Sequence, residues 1–97
     1  MKTPDKETVS QLTDLPNIGK ASAGDLHLIG INHPQDLIGQ NAFDMYEKLC
    51  TLTGKKHDPC MIDVFMSAVH FMETGEALHW YSFTLNRKEK MNQQQKG

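Results

Sequence analysis

Leu15-Pro16-Asn17-Ile18-Gly19-Lys20, followed by Ser22, Ala23 and Leu26 and closed by Gly30-Ile31, is the stretch that decides the fold. It reads as a tight hairpin between two short helices. The N–H groups at the start of the second helix, around Gly19, Lys20 and Ala21, have no intrahelical partner, and with the positive end of the helix dipole they suit an anion such as phosphate. Asn17 is, after glycine, the residue that best tolerates a left-handed backbone, so the turn is within its reach.

The pattern apolar-Pro-x-apolar-Gly-Lys, with a small residue on the second helix, resembles the helix-hairpin-helix motif of DNA repair and recombination proteins. That motif usually carries glycine where this chain has Asn17. The resemblance implies that backbone groups of Asn17, Ile18, Gly19, Lys20 and Ala21 contact DNA phosphates.

Working outward, helix signals recur and strand signals do not. Val9, Leu12 and Leu15 form one apolar stripe, capped at Thr8 or Ser10, and Ile18, Ser22, Ala23, Leu26 and Ile29 form the next, ended by Gly30. Residues 33–39 predict a connector helix with Pro34 in its first turn and Gly39 at its end. Asn41 caps a helix through Met45, Tyr46, Leu49, Cys50 and Leu52 that Gly54 stops. Asp58-Pro59 opens the longest helix, apolar around most of its circumference and therefore central and buried, and Gly75 ends it. Residues 76–83 read as a last short turn laying Trp80 and Tyr81 over the core.

Residues 8–29 and 42–73 each hold a helix, a turn with Gly and Lys, and a second helix. The expectation is an all-α domain of about five short helices, a tandem helix-hairpin-helix (SAM-like) arrangement spanning residues 1–86. A polar tail, 87–97, has nothing to bury and is expected to be disordered or frayed. In the tandem arrangement Gly54, Lys55 and Lys56 form the second phosphate-contacting turn.

The segment Thr53-Gly54-Lys55-Lys56-His57-Asp58-Pro59-Cys60, with Leu49-Cys50 before it and Val64-Phe65, Ala68-Val69 and Phe71 after, resembles the small bacterial pathogenicity-locus family of mitomycin-resistance-type proteins. The likeness covers roughly residues 9–83 and implies a helix-hairpin-helix fold with a DNA-linked role. A more distant similarity is to the C-terminal domain of competence-regulator proteins.

A chain of 97 residues is one domain with a modest core. Net charge is −2, but it is uneven: residues 1–86 carry six basic and eleven acidic residues, and residues 87–97 carry four basic and one acidic. Such a chain is no general DNA-coating protein, and DNA contact must come from a local patch. No apolar run is long enough to span a bilayer and no signal pattern follows Met1-Lys2, which predicts a cytoplasmic protein with reduced thiols.

Cys50, His57, Cys60 and His70 lack the paired spacing of a structural zinc site. Cys60, in the first turn of a helix, has a position that favours the thiolate, although small buried hydrophobes explain both cysteines. Cys60 and His70 lie about 15 Å apart along one helix and make no catalytic pair. Asp25, Asp36, Asp44, Asp58 and Asp63 form no nuclease motif, and Met61, Phe65, Ala68 and Met72 recur at core spacing. The reading is thus a non-catalytic DNA-binding module without a cofactor or a membrane partner. The alternatives are a protein-interaction adaptor on the same fold and, third, a small redox or metal protein resting on Cys50 and Cys60.

Overall fold

The computed structural model describes residues 9–85 and 87–89. Thr8 as a cap and residues 90–97 of the expected tail fall outside that range, as do the side chains of Trp80 and Tyr81. Every regular element among the described residues is helical: α1 (Lys20–Leu28), α2 (Ala42–Thr53) and α3 (Cys60–Thr74), with 3-10 turns at Leu12–Asp14, Pro34–Leu37 and Trp80–Phe83. Helical backbone resumes at 84–85 and 87–89.

The first helix of the expected hairpin is only a single 3-10 turn. Pro16 disfavours α-helical backbone at Leu15, which is extended at φ −74° and ψ 145°, so the turn cannot lengthen forward. Asp14 holds it from behind, its carboxylate accepting from the Ser10 and Gln11 N–H groups at 3.1 and 3.0 Å. The same device recurs in the connector, where Asp36 accepts from the Asn32 and His33 N–H groups at 3.0 Å each. These hydrogen bonds stabilise the charged carboxylates and hold both below their ordinary range.

The longer helices begin and end where their punctuation places them. Asn41 Oδ1 accepts from the Phe43 and Asp44 N–H groups at the start of α2, and Gly54 closes it in the left-handed conformation. Gly75 does the same for α3 at φ 83°, its N–H bonded to the Phe71 carbonyl at 2.7 Å. α3 is the spine: Phe65 and Phe71 are fully buried, and Ile62, Ala68, Val69 and Met72 join them. The expected stripes fill the rest of the core, with Val9, Leu12, Leu15, Ile18, Ala23, Leu26 and Ile29 all buried.

Arg87 belongs to this packed body, contrary to the expectation that the chain has nothing to bury from that residue onward. It is 7% exposed, and its Nε donates to Asp63 Oδ1 at 2.8 Å. Asp63 is wholly buried and its second oxygen accepts from Thr84 Oγ1 at 2.9 Å. A carboxylate inside a helix is tolerable only with such partners, because an unpaired buried charge is costly.

Candidate nucleic-acid interface

The hairpin turn is built from alternating fixed and open residues. Ile18 is buried and its N–H reaches back to the Leu15 carbonyl at 3.3 Å. Asn17 between them takes the left-handed conformation at φ 68°, alone among the described non-glycine residues. Its side chain is turned inward: Nδ2 donates to Ser67 Oγ at 3.1 Å and to the Leu78 carbonyl at 2.7 Å.

Gly19 follows in extended backbone, φ −95° and ψ −172°, a conformation open to any residue. The fold itself does not require glycine here, since an added Cβ would meet nothing within 4 Å. The first helical bond of α1 runs from the Ala23 N–H to the Gly19 carbonyl at 2.9 Å. The Lys20, Ala21 and Ser22 N–H groups therefore precede the intrahelical ladder, with no side-chain cap over them and no carboxylate in the first turn. Lys20 and Ala21 are exposed. The arrangement presents backbone donors, the positive end of the dipole and one ammonium group to solvent.

Gly54, Lys55 and Lys56 lie in a separate turn between α2 and α3, all three exposed, with Gly54 left-handed at φ 69°. No hydrogen bond joins this turn to residues 17–21 among the described residues. The second turn is also built differently: Asp58 Oδ1 accepts from the N–H of Cys60, the first residue of α3, at 2.9 Å, and the Met61 and Ile62 N–H groups bond to the Asp58 and Pro59 carbonyls. Lys55 and Lys56 instead follow the C-terminus of α2, where cations complement the negative end of the dipole. Next to them His57 is clamped, its carbonyl accepting from the Tyr46 hydroxyl, its Nε2 paired with Thr53 Oγ1 at 2.8 Å and its N–H directed at Cys50 Sγ at 3.5 Å. Burial, helped by the neighbouring Cys50 thiol, pushes the Tyr46 hydroxyl up to about 12.

The expectation for Cys60 is reversed. Its thiol lies above the ordinary range because it donates to the Asp58 carboxylate, whose negative charge also opposes a thiolate. Cys50 and Cys60 are half-buried free thiols. Among the described residues no three His, Cys, Asp or Glu side chains converge as metal ligands.

Two connections carry no local sequence signal, Asn17 to Ser67 and Asp63 to Arg87. A hint is present nonetheless. Asp63 and Ser67 stand one turn apart inside a helix apolar almost all round, and polar groups so placed demand partners.

Over the described residues, geometry defines the chain as a small all-α domain whose first α-helix starts at an exposed turn without a side-chain cap. It belongs to the Cdd1 pathogenicity locus family, whose profile matches residues 5–89. Over 79 residues it is 35% identical to mitomycin resistance protein McrB of Streptomyces lavendulae, covering 81% of this chain and 75% of that one. No solved structure matches it.

Proposed function

We propose that the protein is a non-catalytic, cytoplasmic DNA-binding module that contacts the phosphate backbone with little sequence preference. The observation that carries this reading is the start of α1, where uncapped N–H groups stand behind an open Gly19 beside an exposed Lys20. Residues 17–21 act as a helix-hairpin-helix turn, and Lys55 and Lys56 add point charges from the second turn. DNA repair or recombination is the setting that the motif suggests, and a relative named for mitomycin resistance is compatible with it. No described helix is long and apolar enough to cross a membrane.

The acidic excess of residues 1–86 keeps the contact local, so binding is weak and steeply salt-dependent, with a log–log slope of about −0.9 per phosphate neutralised. Electrophoretic mobility of duplex, single-stranded and junction DNA at low salt tests the reading. Lys20→Glu should weaken binding to every sequence alike and flatten the salt slope by about one. If the parent binds none of these DNAs, the adaptor reading takes its place. That reading draws on the acidic balance and on the exposed apolar side chains of Leu28, Ile38, Leu52 and Leu85.

A further inference from the structure

Asn17 does more than its backbone requires. A glycine would adopt the left-handed turn at φ 68° with less strain, yet it has no amide to give to Ser67 Oγ and the Leu78 carbonyl. One of these acceptors lies in the core and the other in a connecting segment. Ser67 is 1% exposed on the inner face of α3, with its own hydroxyl proton directed to the Val64 carbonyl at 2.7 Å. Leu78 lies in the segment that joins α3 to the Trp80–Phe83 turn. Both hydrogens of the amide are thus spent within the fold, on partners 50 and 61 residues away in sequence. The N–H groups that follow, those of Lys20, Ala21 and Ser22, precede the helical ladder without a side-chain cap.

We infer that Asn17 is a positioning residue: its side-chain amide fixes the open start of α1 against α3 and so aims the N–H groups of Lys20, Ala21 and Ser22 at a phosphate. This rests on the phosphate-binding reading of residues 17–21. It assigns Asn17 a role through its side chain, where the helix-hairpin-helix resemblance counts only its backbone.

The test is Asn17→Gly in the full chain, read by amide hydrogen exchange without DNA and by affinity for a short duplex across a salt series. Exchange at Ile18 and Ala23, whose N–H groups close the turn and begin α1, should rise by about fivefold to tenfold, the change expected when hydrogen bonds of ordinary net strength are lost. The Met45 amide at the start of α2 serves as the internal reference and should not change. Duplex affinity should fall by a similar factor while the salt slope stays that of the parent, because the same phosphates are met less often. Affinity that falls while exchange at Ile18 and Ala23 stays that of the parent would make Asn17 a contact instead, and overturn the inference.

Ser67→Ala keeps Asn17 and one of its acceptors, so it should give a smaller change of the same kind, and it stands in if Asn17→Gly does not fold. Combining the two should be no worse than Asn17→Gly alone, since Ser67 acts on the hairpin through Asn17. Unchanged exchange in Asn17→Gly, or raised exchange with parental affinity, sinks the positioning role. A parent that binds no DNA sinks the phosphate reading and this role together, and the exchange measurement then decides separately whether the amide clamp holds the turn.

Discussion

Behind Gly19 at the start of α1, three backbone N–H groups precede the helical ladder with nothing over them, while at the start of α3 the Asp58 carboxylate sits 2.9 Å from the Cys60 N–H. The first turn of α1 carries Lys20 and no acid; the first turn of α3 carries Asp63 and lies against the buried Arg87. Every α-helix begins with the same unsatisfied donors. Where a side chain of the chain itself meets them, the helix start is committed to holding the fold together. Where no side chain meets them, as at Gly19, they take no part in holding the fold, and the phosphate reading proposed above rests on that.

The largest test of this contrast falls on the sealed end. Asp63→Ala leaves the Arg87 guanidinium inside the protein without that carboxylate and should cost about 3–5 kcal/mol in urea denaturation, the range for breaking one side of a buried ion pair. A loss under about 1 kcal/mol would show a pair too well solvated to seal anything.

A smaller effect is expected at Asp58, which is exposed. Asp58→Ala should lower the melting temperature by a few degrees and bring the Cys60 thiol back down toward its ordinary range, measured as the pH dependence of alkylation. Acid should act in the same direction. The Asp14, Asp36 and Asp58 carboxyls lie below their ordinary 3.8 in the folded chain, so the unfolded chain binds protons more readily. Their contribution is complete above the ordinary carboxylate range and is lost as pH falls below it. A denaturation midpoint that stayed level from pH 6 to pH 3 would contradict this.

The smallest stability change and the sharpest discrimination come from Gly19→Asp, which puts a carboxylate at the N-cap of α1. The backbone accepts it and a Cβ has room, so stability should rise by a few tenths of a kcal/mol. DNA binding should fall at the same time, because the new carboxylate occupies the donors and repels phosphate. A variant that gained stability and kept parental affinity would place the contact elsewhere.

Much of the fold was legible because its punctuation is local. Asn41 caps α2, Gly54 and Gly75 end α2 and α3 left-handed, and Asn17 takes the left-handed turn, each decided by a residue and its neighbours. The shortness of the first helical piece was local too, but it rests on two cooperating signals, Pro16 after Leu15 and Asp14 pulling the chain back. The backbone of the candidate site was legible for the same reason. Its anchoring was not, since Ser67 reaches Asn17 across 50 residues and Asp63 reaches Arg87 across 24. The lowered thiol that the helix dipole alone would favour at Cys60 is not found, because the carboxylate two residues earlier outweighs it.

Adjacent turns of α3 hold both flanks of the chain: Ser67 takes the hairpin, and Asp63 takes Thr84 and Arg87. The molecule therefore behaves as a belt fastened at neighbouring holes of one buckle. Release of Thr84 and Arg87 would bare Asp63 to water one turn from Ser67, so local melting there would be felt beside the residue that holds the hairpin turn. Shortening the chain to remove Arg87 would then act one turn from Ser67 without touching it.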